Sequence, residues 1–141
     1  MDDIEFFPVP TSPAGMELPF SEAVRVDSML YLSGAIGIDA GGGLVPGGIE
    51  AETRQALANV RAVLERHGSS LDRVVKTTVM LLDMGDWAAM NRVYLEHFGP
   101  NLPARSALGT SGLALGARVE LECIATIESV ASRRPTSLSH G

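Results

Sequence analysis

The chain has 141 residues, a formal net charge of −6 and a hydrophobic share of 45%, which excludes a wholly disordered chain. Its single cysteine excludes an intramolecular disulfide and a cysteine-rich zinc module, and three histidines leave little material for a metal site. The acidic balance disfavours nucleic acid as a partner, because phosphate backbones are bound by Lys and Arg, which are dispersed here.

The length predicts one domain, which we place at residues 1–128, followed by a polar and flexible tail at 129–141. The acidic N-terminus lacks the basic start and apolar core of a secretory signal. No run of about 18 apolar residues is present, so we expect a cytoplasmic protein without a membrane partner.

The first 20 residues contain Pro8, Pro10, Pro13 and Pro19 and predict an irregular arm. Next, two short apolar runs at 23–26 and 29–32 flank Asp27-Ser28, a pair typical of turns. They predict a β-hairpin. The glycines between 34 and 48 indicate turns rather than a phosphate-binding loop, because no lysine with Ser or Thr stands at the required spacing.

The rest of the chain alternates between helical and extended patterns. We predict helices at 50–67 and 86–98 and strands at 71–82, 104–108 and 119–128. Trp87, Met90 and Tyr94 share one side of the second helix and are assigned to the core. In the last strand Cys123 alternates with Leu121 and Ala125, which indicates a buried thiol rather than a reactive one.

Two amphipathic helices among these strands predict an α+β fold of two layers, with both helices on one face of a sheet. The other face of that sheet then needs either water or a partner.

Arg105 and Glu120 are the residues most suited to chemistry. If residues 109–116 connect a hairpin, the two side chains fall roughly opposite each other on neighbouring strands. A guanidinium can hold a substrate carboxylate through two hydrogen bonds, and a nearby carboxylate can orient or deprotonate a water molecule. The same pattern is also that of a surface ion pair with no catalytic role.

The chain resembles the RidA (YjgF/YER057c/UK114) family of reactive-imine deaminases from about Phe20 to Ile127. Besides the hairpin, the segments that carry the resemblance are Val75–Val79 (VKTTV), Met90–Tyr94 (MNRVY), Pro103–Ser106 (PARS) and Val119–Ala125 (VELECIA). Each motif alone is weak, but their order and spacing together are typical of the family.

The resemblance implies a chorismate-mutase-like fold with a mostly antiparallel mixed sheet, and a homotrimer with sites between subunits. The implied reaction is hydrolysis of 2-imino or 2-enamino acids to 2-keto acids and ammonia, without metal or organic cofactor. Arg105 would clamp the substrate carboxylate, and Glu120 would orient the attacking water. The implied substrate-binding positions are Phe20, Ser33, Gly34, Asn91 and the backbone of Ala107.

Several positions depart from the family pattern. Phe20 replaces a frequent tyrosine, Ala107 a frequent cysteine, Ala35 a common glutamine and Ala114 the proline of a Leu-Pro pair. Phe20 keeps the ring but lacks the hydroxyl, and it is equally suited to filling a subunit interface. The alternative function is therefore a non-catalytic trimer of the same family that binds small carboxylates or has a regulatory role.

Overall fold

The computed structural model describes residues 3–10 and 17–128, which form one mixed sheet with two helices packed on it. The strands are β1 (Ile4–Pro8), β2 (Ser21–Val26), β3 (Met29–Leu32), β4 (Ala35–Ile36), β5 (Val74–Leu81), β6 (Ala104–Gly109) and β7 (Val119–Thr126). The helices are α1 (Gly48–Arg66) and α2 (Trp87–Phe98). No helix in this described part of the chain combines the length and apolar character that crossing a membrane requires.

The strand order is β1-β2-β3-β7-β5-β6, and the short strand β4 also pairs with β7. Strands β5 and β6 are parallel because α2 joins them as a crossover, whereas the other pairs are antiparallel. The predicted α+β fold of two layers with a mostly antiparallel mixed sheet is confirmed, as is the β2–β3 hairpin.

The core lies between the sheet and the helices. It is formed by the apolar side of each element, the side that the sequence periodicity predicts to be buried. Strand β7 alternates strictly, with Val119, Leu121, Cys123 and Ala125 buried. Helix α1 contributes Ala56, Leu57, Val60 and Leu64, and α2 contributes Met90 and Tyr94. The assignment of Trp87 to the core is wrong: it is the first residue of α2, at the margin of the helix layer, and is 45% exposed.

The irregular arm predicted for residues 1–20 is partly wrong, because β1 pairs antiparallel with β2. The prolines do not prevent this strand, since Pro8 is its last residue and the register shifts just before it. Phe7 turns toward the core and stacks on His67 with ring centroids 3.9 Å apart, which holds the strand. The predicted flexible tail at 129–141 lies outside the described residues, and the domain limits stay a prediction.

The predicted hairpin between β6 and β7 is also wrong, since β5 lies between these strands and pairs with both. The connecting segment contains a short 3-10 turn, Ala114–Gly116, in which Leu115 has a φ of 58°. A loop of this length reaches over the end of β5, because neighbouring strands lie only about 5 Å apart.

The sheet face that points away from the helices is rich in apolar side chains. A row of residues paired across four strands crosses it: Phe6, Val24, Tyr31 and Ile124. Phe6 is 67% exposed and Tyr31 is 43% exposed. Such a contiguous apolar surface is typical of a face that binds another protein chain.

Candidate active site

The side chain of Arg105 extends from β6 toward α2, where it lies against three residues. Its Nη1 donates a hydrogen bond of 2.8 Å to Oδ1 of Asn91. Its Cζ lies 4.8 Å from the ring centroid of Tyr94 and 5.8 Å from that of Trp87. Aromatic faces attract a guanidinium through cation–π interactions, so Arg105 is held in place without the use of its remaining N–H donors.

The partners of Arg105 are themselves fixed by the fold. Thr77 on β5 is directly paired with Arg105, and its hydroxyl lies 2.7 Å from the Tyr94 hydroxyl in a buried position. Burial raises the pKa of Tyr94, against opposing effects of the Thr77 hydrogen bond and the Arg105 charge, so the phenol stays neutral near neutral pH. Strand β5 thus positions Tyr94, and Tyr94 supports Arg105.

Trp87, Asn91 and Tyr94 share one side of α2 because they are spaced by four and three residues. The family resemblance implies Asn91 as a site residue, whereas the helical pattern predicts Trp87 and Tyr94 in the core. Trp87 precedes Asn91 by four residues and Tyr94 follows it by three. This helical spacing is the sequence pattern that could have predicted both rings beside the site.

A shallow pocket of about 250 Å³ opens beside Arg105. Its lining consists of Asn91, Tyr94, Leu95, Leu102, Pro103 and Arg105. Among the residues that the structure describes, no carboxylate forms an ion pair with Arg105. The guanidinium is therefore available to an anion that enters the pocket.

Glu120 lies in a second group of predicted site residues, on the opposite face of the sheet. Its carboxylate packs so closely on Gly34 that a Cβ at that position would overlap Oε2 and lie 2.9 Å from Cδ. Ser33 is next to Gly34 and donates a hydrogen bond of 2.6 Å from its hydroxyl to the carbonyl of Ser21, the residue after Phe20. The Phe20 ring is 51% exposed.

The environment of Glu120 favours its protonated form. Burial raises the pKa of Glu120, and the nearby negative charge of Glu122 raises it further. A carboxyl group with a raised pKa is suited to accept and return protons closer to neutral pH.

The two groups do not meet within one chain. Arg105 on β6 is paired with Thr77 on β5, which in turn is paired with Cys123 on β7. The side chain of Arg105 lies on the face of the sheet that the helices cover. Glu120 alternates with the buried Val119 and Leu121, so it points to the other face. The expected opposition of Arg105 and Glu120 across a hairpin is therefore wrong, because β5 separates their strands.

Ala107 follows Arg105 by two residues on the same face of β6, and it packs partly against the core. Cys123 is a buried free thiol, and burial, assisted by the charge of Glu122, raises its pKa to about 12. It stays a neutral thiol at physiological pH, as expected for a core residue. Within residues 3–10 and 17–128, no group of three or more His, Cys, Asp or Glu residues could hold a metal ion.

Comparisons with known proteins agree on one family. A family model described as Endoribonuclease L-PSP matches residues 11–127. A Mus musculus protein named 2-iminobutanoate/2-iminopropanoate deaminase is 46% identical over 108 residues, 76% of this chain and 80% of the mouse protein.

Solved structures agree with this match. The crystal structure of the yeast protein YEO7 has a TM-score of 0.82 at 35% identity and covers 89% of this chain and 99% of its own. The structure of RidA from an Antarctic Psychrobacter bacterium has a TM-score of 0.76 at 34% identity and covers 86% of this chain and 94% of its own.

Proposed function

This chain belongs to the endoribonuclease L-PSP family, the family of the RidA proteins, and on that premise we propose that it hydrolyses reactive 2-imino and 2-enamino acids to 2-keto acids and ammonia. The observation that carries the proposal is the Arg105 guanidinium, which aromatic rings and Asn91 fix beside a pocket while most of its N–H donors stay available. A relative at 46% identity is named for deamination of two such imino acids.

In the proposed reaction, Arg105 binds the substrate carboxylate through two parallel hydrogen bonds and so fixes the adjacent C=N carbon. Water attacks that carbon and gives one proton to the Glu120 carboxylate, which returns it to the nitrogen, so an amino alcohol forms. The hydroxyl proton of the amino alcohol then passes to the nitrogen, the C–N bond breaks, ammonia leaves, and the hydroxyl oxygen becomes the keto oxygen. Only water is consumed, and no oxidant or reductant is required.

The proposed site is shared between copies of the chain, because Arg105 and Glu120 lie on opposite faces of one sheet. Assembly of a homotrimer would bring Arg105 of one copy to Glu120 of the next. The apolar row of Phe6, Val24, Tyr31 and Ile124 supports this arrangement, since a partner would remove it from water.

The proposal is tested by coupling the purified protein to an amino-acid oxidase, which releases 2-imino acids, with semicarbazide present to trap free imine. We expect the protein to lower the yield of trapped imine and to speed the release of keto acid. Equal trapping with and without the protein, for every imine supplied, would instead favour the alternative function, a carboxylate-binding trimer without turnover. The observation that supports this alternative is Phe20, which lacks the hydroxyl of the tyrosine that is frequent at this position in the family.

The description of the family model raises a second candidate, RNA cleavage. The arrangement of basic residues argues against it, because five arginines lie within 4.0 Å of a carboxylate: Arg25, Arg54, Arg66, Arg92 and Arg118. These pairs reduce the positive charge available to a phosphate backbone.

Gly34→Ala is expected to lower kcat/KM by about 10- to 100-fold with little loss of stability. The new methyl group would overlap Oε2 of Glu120, whose flexible side chain can move aside without moving the backbone. Steady-state kinetics and thermal melting check both parts. Gly43→Ala is the matched control, because nothing lies within 4 Å of a Cβ added there. Equal activity of the two variants would show that the position of Glu120 does not matter.

The pH dependence of the reaction is expected to follow Glu120. Only the ionised carboxylate can accept a proton, so kcat/KM falls as the pH falls through the raised pKa of this group. Glu122→Gln removes a neighbouring negative charge, lowers the pKa of Glu120 and moves the acidic limb of the pH profile to lower pH. Glu65→Gln, an exposed change on α1 with the same net charge, should leave the profile unchanged. A shift to higher pH in Glu122→Gln would contradict the role of Glu120.

A further inference from the structure

We propose that the pocket beside Arg105 receives the side chain of the substrate, and that Leu95 and Leu102 make the enzyme prefer imino acids with medium-sized apolar side chains. The inference rests on the proposed function, which it extends from a reaction to a substrate class.

The pocket is divided into a polar end and an apolar wall. Arg105 and Asn91, joined by their hydrogen bond, form the polar end. Leu95, Leu102 and Pro103 supply the wall. A carboxylate bound to Arg105 lies one bond from the imine carbon, so the substituent on that carbon is brought to the leucines.

The two leucines have a reason to bind an apolar group. Leu95 is 55% exposed and Leu102 is 57% exposed, although each is a large hydrophobic residue. Covering this surface with a hydrocarbon chain removes apolar area from water on both molecules. The exposed leucines thus favour a ligand that combines a carboxylate with an apolar side chain.

The size of the pocket bears on which side chains fill it. A volume of about 250 Å³ lies just below the usual range of small-molecule sites, about 300–1,000 Å³. A single methyl group leaves most of this space unfilled, whereas a branched four-carbon chain or a phenyl ring fills more of it.

The lining that one chain supplies also discriminates by charge, because among the described residues Arg105 is the only charged one in it. A substrate with a basic side chain would place a second cation near Arg105, and one with an acidic side chain would find no second cation to pair with. Both kinds would lose hydration without gaining a partner. The geometry therefore favours imines derived from leucine, methionine or phenylalanine over those derived from lysine or glutamate.

A binding measurement that needs no turnover tests the pocket directly. The probes are the 2-oxo acid products of increasing side-chain length: pyruvate, 2-oxobutanoate and 2-oxo-4-methylpentanoate, titrated by calorimetry into the full-length protein. We expect the dissociation constant to fall by about two- to fourfold for each added carbon. In Leu102→Ala this dependence should flatten, while pyruvate binding changes by less than about twofold.

Leu115→Ala is the matched control, because Leu115 is also in a loop before a strand, is 68% exposed and is absent from the pocket lining. It should keep the dependence on side-chain length. In the coupled assay, Leu102→Ala should lower kcat/KM for the leucine-derived imine about tenfold and leave the alanine-derived imine nearly unchanged.

The outcomes separate the two proposals. If the oxo acids bind with the expected dependence but no imine is hydrolysed, the pocket assignment stands and the proposed function fails. If imines are hydrolysed but affinity and kcat/KM do not depend on side-chain length, or Leu102→Ala lowers all substrates equally, the pocket assignment is overturned and the function stands. Light scattering of Leu102→Ala completes the test, since a change of oligomeric state would make Leu102 an interface residue and also overturn the assignment.

Discussion

Replacing Arg105 with alanine is expected to lower kcat/KM for imine hydrolysis by about 100- to 1,000-fold, because two charge-assisted hydrogen bonds to the substrate carboxylate are lost. The loss should be similar for every 2-imino acid, since the carboxylate is common to all of them. Stability should change little, because within the described part of the chain the guanidinium donates a single hydrogen bond, to Asn91. The measurement is the coupled oxidase assay, with circular dichroism to confirm folding.

Two further variants make this prediction specific. Arg105→Lys keeps the positive charge but loses the planar pair of donors, so its activity should lie between those of the wild type and Arg105→Ala. Arg92→Ala removes an exposed arginine of α2, whose Nη2 pairs with Glu50 at 2.8 Å. It should behave as the wild type. Comparable losses in Arg92→Ala and Arg105→Ala would mean that net charge, rather than a carboxylate clamp, sets the rate.

Mixing two inactive variants is expected to restore activity. Arg105→Ala and Glu120→Gln should each be nearly inactive, since one lacks the clamp and the other lacks the proton acceptor. In a trimer that contains both, one interface joins an intact Arg105 to an intact Glu120 of the next copy. Trimers purified through two different tags, one on each variant, should therefore show about one third of the wild-type activity.

The control for this experiment is the chain that carries both substitutions, mixed with either single variant. With Arg105→Ala as the partner every copy lacks Arg105, and with Glu120→Gln every copy lacks Glu120. No interface of either mixed trimer has both residues, so no activity should return. A mixture of the two single variants that stays inactive, while its trimers are intact, would show that the site does not combine residues of different copies.

Local patterns in the sequence were sufficient for most of the fold. The alternation of Val119, Leu121, Cys123 and Ala125 predicted a strand with one buried face, and the apolar stripe from Ala56 to Leu64 predicted α1. Both predictions depend only on which side of a regular element meets the core.

Strand pairing could not be predicted in the same way. The order β6-β5-β7 depends on where a loop crosses, and residues 109–116 are compatible with a hairpin connection as well as with a crossing over β5. Strand β1 was not predicted because of the prolines near the N-terminus. The effect of a proline depends on which strand position it occupies, and Pro8 occupies the last position of β1. For these elements the tertiary structure decides between local alternatives.

The candidate site was likewise predictable from the sequence only in part. Arg105 and Glu120 were predicted from their chemistry and the family resemblance, and Asn91 and Gly34 from the resemblance alone. The distribution of these residues over two faces of the sheet requires the three-dimensional structure. Trp87 and Tyr94 were missed as partners of Arg105 because aromatic residues on a helix are more often core residues than supports for a cation.

The support of Arg105 by ring faces also affects how an anionic molecule finds this protein. A carboxylate partner would have cancelled the positive field of the guanidinium, whereas Tyr94 and Trp87 leave that field intact. On a chain with a net charge of −6, Arg105 is then a local centre of attraction within a surface that repels anions at longer range. We therefore expect anionic metabolites to be attracted to this point before contact forms, and we expect this attraction to weaken as dissolved salt shortens the reach of each charge.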